Sequence, residues 1–303
     1  MEINTLLELS KYFEEKQNCI DYLTKIRWNG TVKCVFCDHD RVYELKGHNK
    51  RYKCSKCRKQ FSVIKGTIFE NSPISLQKWF VAIYVITSHK KGISSIQLGK
   101  DIGVTQKTAW FMNQRIRFAL KAKTFNKMAG TVQCDETYVG GKNKNRVGKN
   151  KIRNSQGRSL IDKTPVFGIV GDGQVYTEVV SDTKSTTLKP IIKKMVKTGS
   201  IVITDEWRAY KKMPREYQHE VIQHRLNEFV RGKFHTNSIE GFWSLLKRGI
   251  YGIYHQVSPK HLHRYCDEFS FRYNTRQITE SDRFNYLMKK INCRLTYDEL
   301  TGK

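Results

Sequence analysis

Four cysteines constrain this chain more than any other feature. Cys34-x2-Cys37 and Cys54-x2-Cys57 are two Cys-x-x-Cys pairs with sixteen residues between them. Each pair can sit on a tight turn that aims two thiolates at one point, and two such turns complete a tetrahedron around one zinc ion. With four thiolates bound, no coordination position stays open, so the expected Zn²⁺ is structural. A redox role fits less well, because one pair would suffice and no βαβ pattern surrounds either. Cys19, Cys134, Cys266 and Cys293 are scattered. The first residues carry Glu2 and Glu8 where a secretion signal would be basic. Reduced thiols in a soluble intracellular protein are the expectation.

The cysteines lie in a polar stretch with two short strand-like runs, Arg41–Leu45 and Arg51–Lys53, flanking the turn Gly47-His48-Asn49. This reads as a small β-ribbon. Its flanks are basic (Lys46, Lys50, Arg51, Lys53, Lys56, Arg58, Lys59), which suits phosphate contact or a solvated face. The whole chain repeats that bias, with 55 Lys and Arg against 28 Asp and Glu and a net charge of +27. Such an excess repels itself unless an anionic partner is near. Nucleic acid is the first candidate and an anionic membrane surface the second. The longest apolar stretch, Trp79–Ile86, falls far short of the ~20 residues of a spanning helix, which disfavours the membrane.

Residues 5–27 show apolar positions at helical spacing among charges, and so do residues 75–122. Within the latter, Ser94–Trp110 fits a helix-turn-helix. Leu98, Ile102 and Val104 face the core, Gly103 makes the turn and Thr105 caps the second helix. Its early residues Gln106, Lys107 and Thr108 are of types that reach base edges or phosphates, and Arg115 and Arg117 add charge further along. An ordinary helical hairpin has the same pattern. Gly99 stands where such motifs usually carry Ala, which keeps packing close but weakens the helix.

From Thr131 the period changes to strands: Thr131–Val139, Pro165–Gly171, Gln174–Ser181 and, after a helical stretch Thr186–Lys197, Ser200–Thr204. Beyond Asn237 the chain reads mostly helical, which makes a mixed α/β domain. Between the first two strands lies Lys142–Arg158, with seven Lys or Arg and no acid, including Lys142, Lys144 and Arg146. It reads either as a DNA-binding loop or as a solvated one.

Three acids sit where separate elements can converge. Asp135 shares a strand face with Gln133 and Thr137, while Glu136 faces the other way, so a register error would exchange the two. Asp205 follows the apolar strand Ile201–Ile203. Glu240 lies early in a helix whose buried stripe is Ile239, Phe242, Trp243 and Leu246, and Lys247 projects the same way two turns on. Taken singly, Asp135 fits a hydrogen-bonded strand acid, Asp205 a helix cap and Glu240 a capping box with Asn237. Together they offer hard oxygen ligands suited to Mg²⁺ or Mn²⁺ and to phosphodiester cleavage.

The stretches Cys-Asp-Glu-Thr-Tyr-Val-Gly-Gly (134–141), Thr-Asp-Glu-Trp (204–207) and His-Thr-Asn-Ser-Ile-Glu-Gly-Phe-Trp-Ser-Leu-Leu-Lys-Arg-Gly-Ile-Tyr-Gly (235–252) resemble the DDE transposases of bacterial insertion sequences. The subgroup most similar carries an N-terminal zinc ribbon and a helix-turn-helix before an RNase H-like domain. The resemblance spans roughly residues 20–290. It implies Asp135, Asp205 and Glu240 as ligands of the catalytic metals, with Lys247 beside them. It also implies cleavage at terminal inverted repeats, joining of the freed 3′-hydroxyl to target DNA, a homo-oligomer, and a cytoplasmic, nucleoid-associated protein. The expected organisation is a helical segment (1–27), zinc ribbon (28–70), helix-turn-helix region (75–125) and RNase H-like catalytic domain (128–290). The alternative from another class is a non-catalytic zinc and helix-turn-helix regulator; a plain metal-dependent nuclease is the third reading.

Overall fold

The computed structural model describes residues 3–47, 50–121, 126–141, 147–153, 155, 157–232 and 234–302. The chain divides into two compact units, Met1–Leu120 with Gln277–Lys303, and Lys121–Arg276.

The first unit opens with two short helices, α1 (Leu6–Tyr12) and α2 (Lys16–Trp28). Thr5 and Glu8 close a capping box on α1, satisfying N–H groups that a helix start leaves orphaned. The ribbon follows as an antiparallel sheet of β1 (Val42–Leu45), β2 (Arg51–Cys54) and β3 (Gln60–Ser62). The third strand is one that the sequence reading does not contain. Trp28, Tyr52 and Phe61 pack edge to face and tilted against the cysteine turns.

α3 (Leu76–Ser88), α4 (Ser95–Ile102) and α5 (Gln106–Leu120) follow. Gly103 adopts φ 63° at the C-cap of α4, the left-handed conformation that favours glycine, and the Thr105 hydroxyl accepts from Thr108 N–H at the start of α5. A Cβ at Gly99 would meet the Val104 carbonyl oxygen at 2.9 Å, so close approach of the turn explains the departure from Ala. The C-terminal segment supplies α9 (Glu280–Met288) and α10 (Tyr297–Thr301) to this unit. Phe284 joins Phe13, Tyr22 and Phe80 in an aromatic cluster. The catalytic region expected from the sequence extends to 290, whereas the second unit ends at Arg276.

The second unit is built on a five-stranded sheet of order β6-β5-β4-β7-β8, comprising β4 (Thr131–Gly140), β5 (Lys163–Gly171), β6 (Gln174–Val179), β7 (Ile201–Asp205) and β8 (Gln218–Ile222). β4, β5 and β6 are antiparallel, and β7 and β8 run parallel to β4. β8 alternates too many polar residues, Gln-His-Glu, to announce itself as a strand. One sheet face is covered by α6 (Ser185–Met195) through Leu188, Ile192, Val132, Cys134, Phe167 and Val202. The other is covered by α7 (Asn237–Gly249) and α8 (Pro259–Asn274) through Ile239, Phe242, Leu246, Val166 and Phe269. This is the mixed α/β, RNase H-like layering. A small hairpin of β9 (Val230–Arg231) and β10 (Phe234–His235) precedes α7.

Candidate functional site

In the ribbon, Cys34 N–H donates to the His39 carbonyl and Cys54 N–H to the Lys59 carbonyl, which fixes the two matching turns. All four Sγ atoms lie within 4.8 Å of one another. The Cys34–Cys57 and Cys37–Cys54 pairs are each 3.6 Å apart. A tetrahedron with Zn–S bonds of ~2.3 Å has edges of ~3.8 Å, so the donor set fits zinc and is too open for disulfides. Desolvation raises the Cys54 thiol, but the Cys57 and Lys56 N–H groups and neighbouring thiols outweigh it and bring it to about 7. Cys37 moves the other way: against the His39 backbone hydrogen bond, desolvation and hydrogen bonds to the neighbouring thiols push it up to about 11, so the four thiols share their protons as one group.

In the second unit the strand order reverses between β4 and β7, and ligands of open α/β sheets bind at such switch points. The last parallel pairing is Gln133 with Ile203. Asp135 and Asp205 are each two residues further on, so they share register and face where the strands part. Asp135 Oδ2 accepts from the Trp243 indole N–H at 2.9 Å. That indole lies across Gly168, the β5 partner of Asp135, where a Cβ would come within 2.6 Å of the ring. Gln133 uses its side-chain carbonyl to accept from Ser238 and Ile239 N–H at 3.0 and 3.1 Å, capping α7 from the sheet. The helix that carries Glu240 is thereby tied to the strand that carries Asp135.

Glu136 faces the opposite side, as alternation requires, and accepts from the buried Tyr210 hydroxyl at 2.7 Å. Its other oxygen is buried with no partner among the described residues. Carboxylate oxygens of Asp135, Glu136 and Asp205 nevertheless lie within 4.8 Å of one another. Desolvation, then the charge of Asp205, pushes Asp135 up to about 6. Desolvation raises Glu136 to about 7 against the Tyr210 hydrogen bond. Buried carboxylates with raised pKa and an orphaned oxygen are short of positive charge, and a divalent cation fits that deficit.

Asp205 Oδ1 accepts from Trp207 N–H at 2.9 Å, and Oδ2 lies 3.5 Å from the Arg158 guanidinium. Glu240 stands apart from the Asp135–Glu136–Asp205 group. Its Oε1 accepts from the Thr236 hydroxyl at 2.7 Å and lies 3.6 Å from His224 Nε2. Thr236, not Asn237, sits at the N-cap position and its side chain makes no cap hydrogen bond, so the capping box of Asn237 with Glu240 does not form. Glu240 does line the same open cleft of about 780 Å³ as Asp135, Trp243, Lys247 and Tyr251. Burial depresses the Lys247 ammonium, partly offset by the negative Asp135.

Of the expected DNA contacts, Gln106 and Lys107 are exposed and Thr108 half-buried at the start of α5. Arg115 is a correction. It is 4% exposed and donates to the carbonyls of Leu295, Ile68 and Glu70, so its charge holds the fold together and does not face a ligand. Arg117 is buried as well. Lys142, Lys144 and Arg146 lie outside the described residues. Sequence reasoning missed Gln133, Gly168, Tyr210, His224 and Thr236. The glycine inside an apolar strand was the one available signal, since such a residue often marks close approach.

Both the sheet-bearing region and the ribbon region match known protein domains. Residues 127–274 match the ISXO2-like transposase domain of the IS1595 type, and residues 15–60 match the transposase zinc-ribbon domain of that type. A Halobacterium salinarum protein described as an uncharacterized protein in transposable element ISH50 is 28% identical over 274 residues, covering 86% of this chain and 92% of the relative. An uncharacterized transposase-like protein of Haemophilus influenzae is 35% identical over 106 residues, 35% of this chain and 85% of the relative. A chain from the crystal structure of a pre-cleavage Mos1 transpososome shows 12% identity and a TM-score of 0.27 over 67% of this chain and 75% of that one, a likeness too distant to bear on the fold. The chain belongs to the IS1595-type family of insertion-sequence transposases.

Proposed function

We propose that the protein is a DNA transposase that cuts at its element's ends and joins the freed 3′-hydroxyl to target DNA. The observation that carries this reading is the pair Asp135 and Asp205, brought into register at the switch point with Trp243 holding one and Trp207 N–H the other. Asp135, Asp205 and Glu240 would hold Mg²⁺ or Mn²⁺, with Glu136 close behind Asp135. Divalent cations there supply simultaneous stabilisation of the attacking and leaving oxygens of a phosphodiester.

This chain's residues do the rest. Water attacks phosphorus at the element end and the P–O3′ bond breaks, leaving a 3′-hydroxyl and a 5′-phosphate. That hydroxyl then attacks a target phosphodiester: one P–O bond forms, one breaks, and a target 3′-hydroxyl leaves. Asp135 and Asp205 fix the point where these oxygens gather, and Lys247, in the same cleft, meets a non-bridging phosphate oxygen. Gln106, Lys107 and Thr108 at the start of α5 read or grip duplex DNA, while the ribbon's basic flanks contact phosphates. A homo-oligomer aligns two element ends. Among the described residues, no helix is long and apolar enough to cross a membrane.

The test is a strand-transfer assay with labelled element-end DNA and Mg²⁺, comparing wild type with Asp205→Ala. Joined product from wild type alone supports the reading. DNA binding without cleavage by either protein, with Mn²⁺ also tried, would move the function to a regulator.

A further inference from the structure

Arg158 holds an unusual place for a residue of the basic stretch 142–158. Its guanidinium carbon lies 4.6 Å from the centre of the Trp207 ring and its Nη2 3.5 Å from Asp205 Oδ2. The ring beneath it is itself anchored, since Trp207 N–H donates to Asp205 Oδ1 and the indole N–H to the Thr183 carbonyl at 3.2 Å. A guanidinium on an aromatic face keeps its donor edge available, because stacking uses its plane and not its N–H groups. The Arg158 side chain is half exposed, whereas the Asp205 carboxylate is largely buried. At 3.5 Å the pair is attracted by charge without a short hydrogen bond, so its donors are not consumed. Arg158 is thus a cation resting against one carboxylate of the Asp135–Glu136–Asp205 group, on a fixed platform, with its fork open to solvent.

We propose that Arg158 is a two-position cation: it balances Asp205 in the metal-free protein and passes to a DNA backbone phosphate when divalent cations take the carboxylates. This rests on the transposase reading and deepens it by naming a substrate contact of the same site. The argument is electrostatic. A guanidinium and a divalent cation on the same carboxylate repel each other, and the partly buried setting screens that repulsion weakly. The arginine needs another anion, and the two non-bridging oxygens of a phosphate are acceptors that its planar fork matches. Metal loading and DNA binding are then coupled through one side chain. The indole keeps Arg158 beside the carboxylate group throughout.

Two titrations test this without relying on turnover. In the first, Mn²⁺ binding to the full-length protein is followed by electron paramagnetic resonance in the absence of DNA. Arg158→Gln removes the competing cation, and Mn²⁺ should bind about threefold tighter or more, as expected for loss of a partly exposed charge pair. In the second, a fluorescent duplex of arbitrary sequence is titrated with Ca²⁺ present. Arg158→Gln should bind it more weakly and with a salt slope smaller by about one. Arg158→Lys keeps the charge without the fork and should stay near wild type in the first titration while losing DNA affinity in the second. Equal or weaker Mn²⁺ binding by Arg158→Gln overturns the proposal, and so does an unchanged salt slope. Failure of strand transfer by wild type would instead remove the transposase reading, and both titrations remain interpretable without it.

Discussion

The two metal-fitting sites found among the described residues are opposites in construction. The cysteine site draws its ligands from residues 34–57, on two matching turns fixed by backbone hydrogen bonds, and its donors already have tetrahedral spacing. The carboxylate site draws from residues 135–240. Asp135, Glu136 and Asp205 converge, but Glu240 is held by Thr236 and His224 instead. A structural metal rewards a closed, local cage. A catalytic one requires open positions and ligands on elements that substrate can reach. The difference teaches that the ribbon is complete in its own segment, while the carboxylate site lacks Glu240 among its gathered oxygens.

The contrast can be broken at several points, from large effects to small. Cys54→Ser should cost the ribbon its metal and its fold, because binding free energy there is folding free energy of about 10 kcal/mol or more. Zinc content measured by mass spectrometry should drop from one per chain to none, with the second unit's thermal transition unmoved. A ribbon that keeps its protease resistance without zinc would count against a metal-built fold.

Asp135→Asn should lower strand transfer at least about a thousandfold, the order expected when a catalytic metal loses a ligand worth several kcal/mol. The melting temperature should hold or rise, since the change removes a carboxylate whose burial is unfavourable. Loss of stability in step with activity would mark a purely structural acid.

Gly168→Ala is subtler. The added methyl would meet the Trp243 ring at 2.6 Å, so overpacking should cost about 1–3 kcal/mol by denaturant melting. Activity should fall further than stability, because the displaced indole releases Asp135.

The smallest effect is in pH. Asp135 and Glu136 have folded pKa values of about 6 and about 7, above their ordinary 3.8 and 4.5. The folded state therefore holds more protons than the unfolded one between those values, and metal-free stability should fall as pH rises from ~4 to ~7. Added Mn²⁺ should stabilise increasingly over the same window, as protons stop competing for the oxygens. A flat thermal-shift profile would mean that the carboxylates are not desolvated.

How much of this is legible in the sequence follows the same divide. The cysteine ligands are local, and spacing alone located them. Strand alternation correctly separated Asp135 from Glu136, as the Trp243 and Tyr210 hydrogen bonds bear out. Periodicity could not tell that Gln133 caps α7 or that Gly168 yields its space to an indole, because both depend on which strand lies beside which. Arg115 looked like a surface charge because nothing within its helix shows that residues 68–70 and Leu295 close over it. Similarly, the polar edge strand β8 gave no periodic signal, and the direction of the Glu240 carboxylate rests on His224 and Thr236, which no helical pattern includes.

One measurement reaches the central claim directly. Asp205→Cys replaces a hard oxygen ligand with a thiolate, which Mn²⁺ accepts better than Mg²⁺. In the strand-transfer assay we expect this variant to be inactive with Mg²⁺ and to regain part of its activity with Mn²⁺. Joining at the wild-type level with Mg²⁺ would contradict a metal-bearing carboxylate at position 205, and with it the two-aspartate centre on which the function is built.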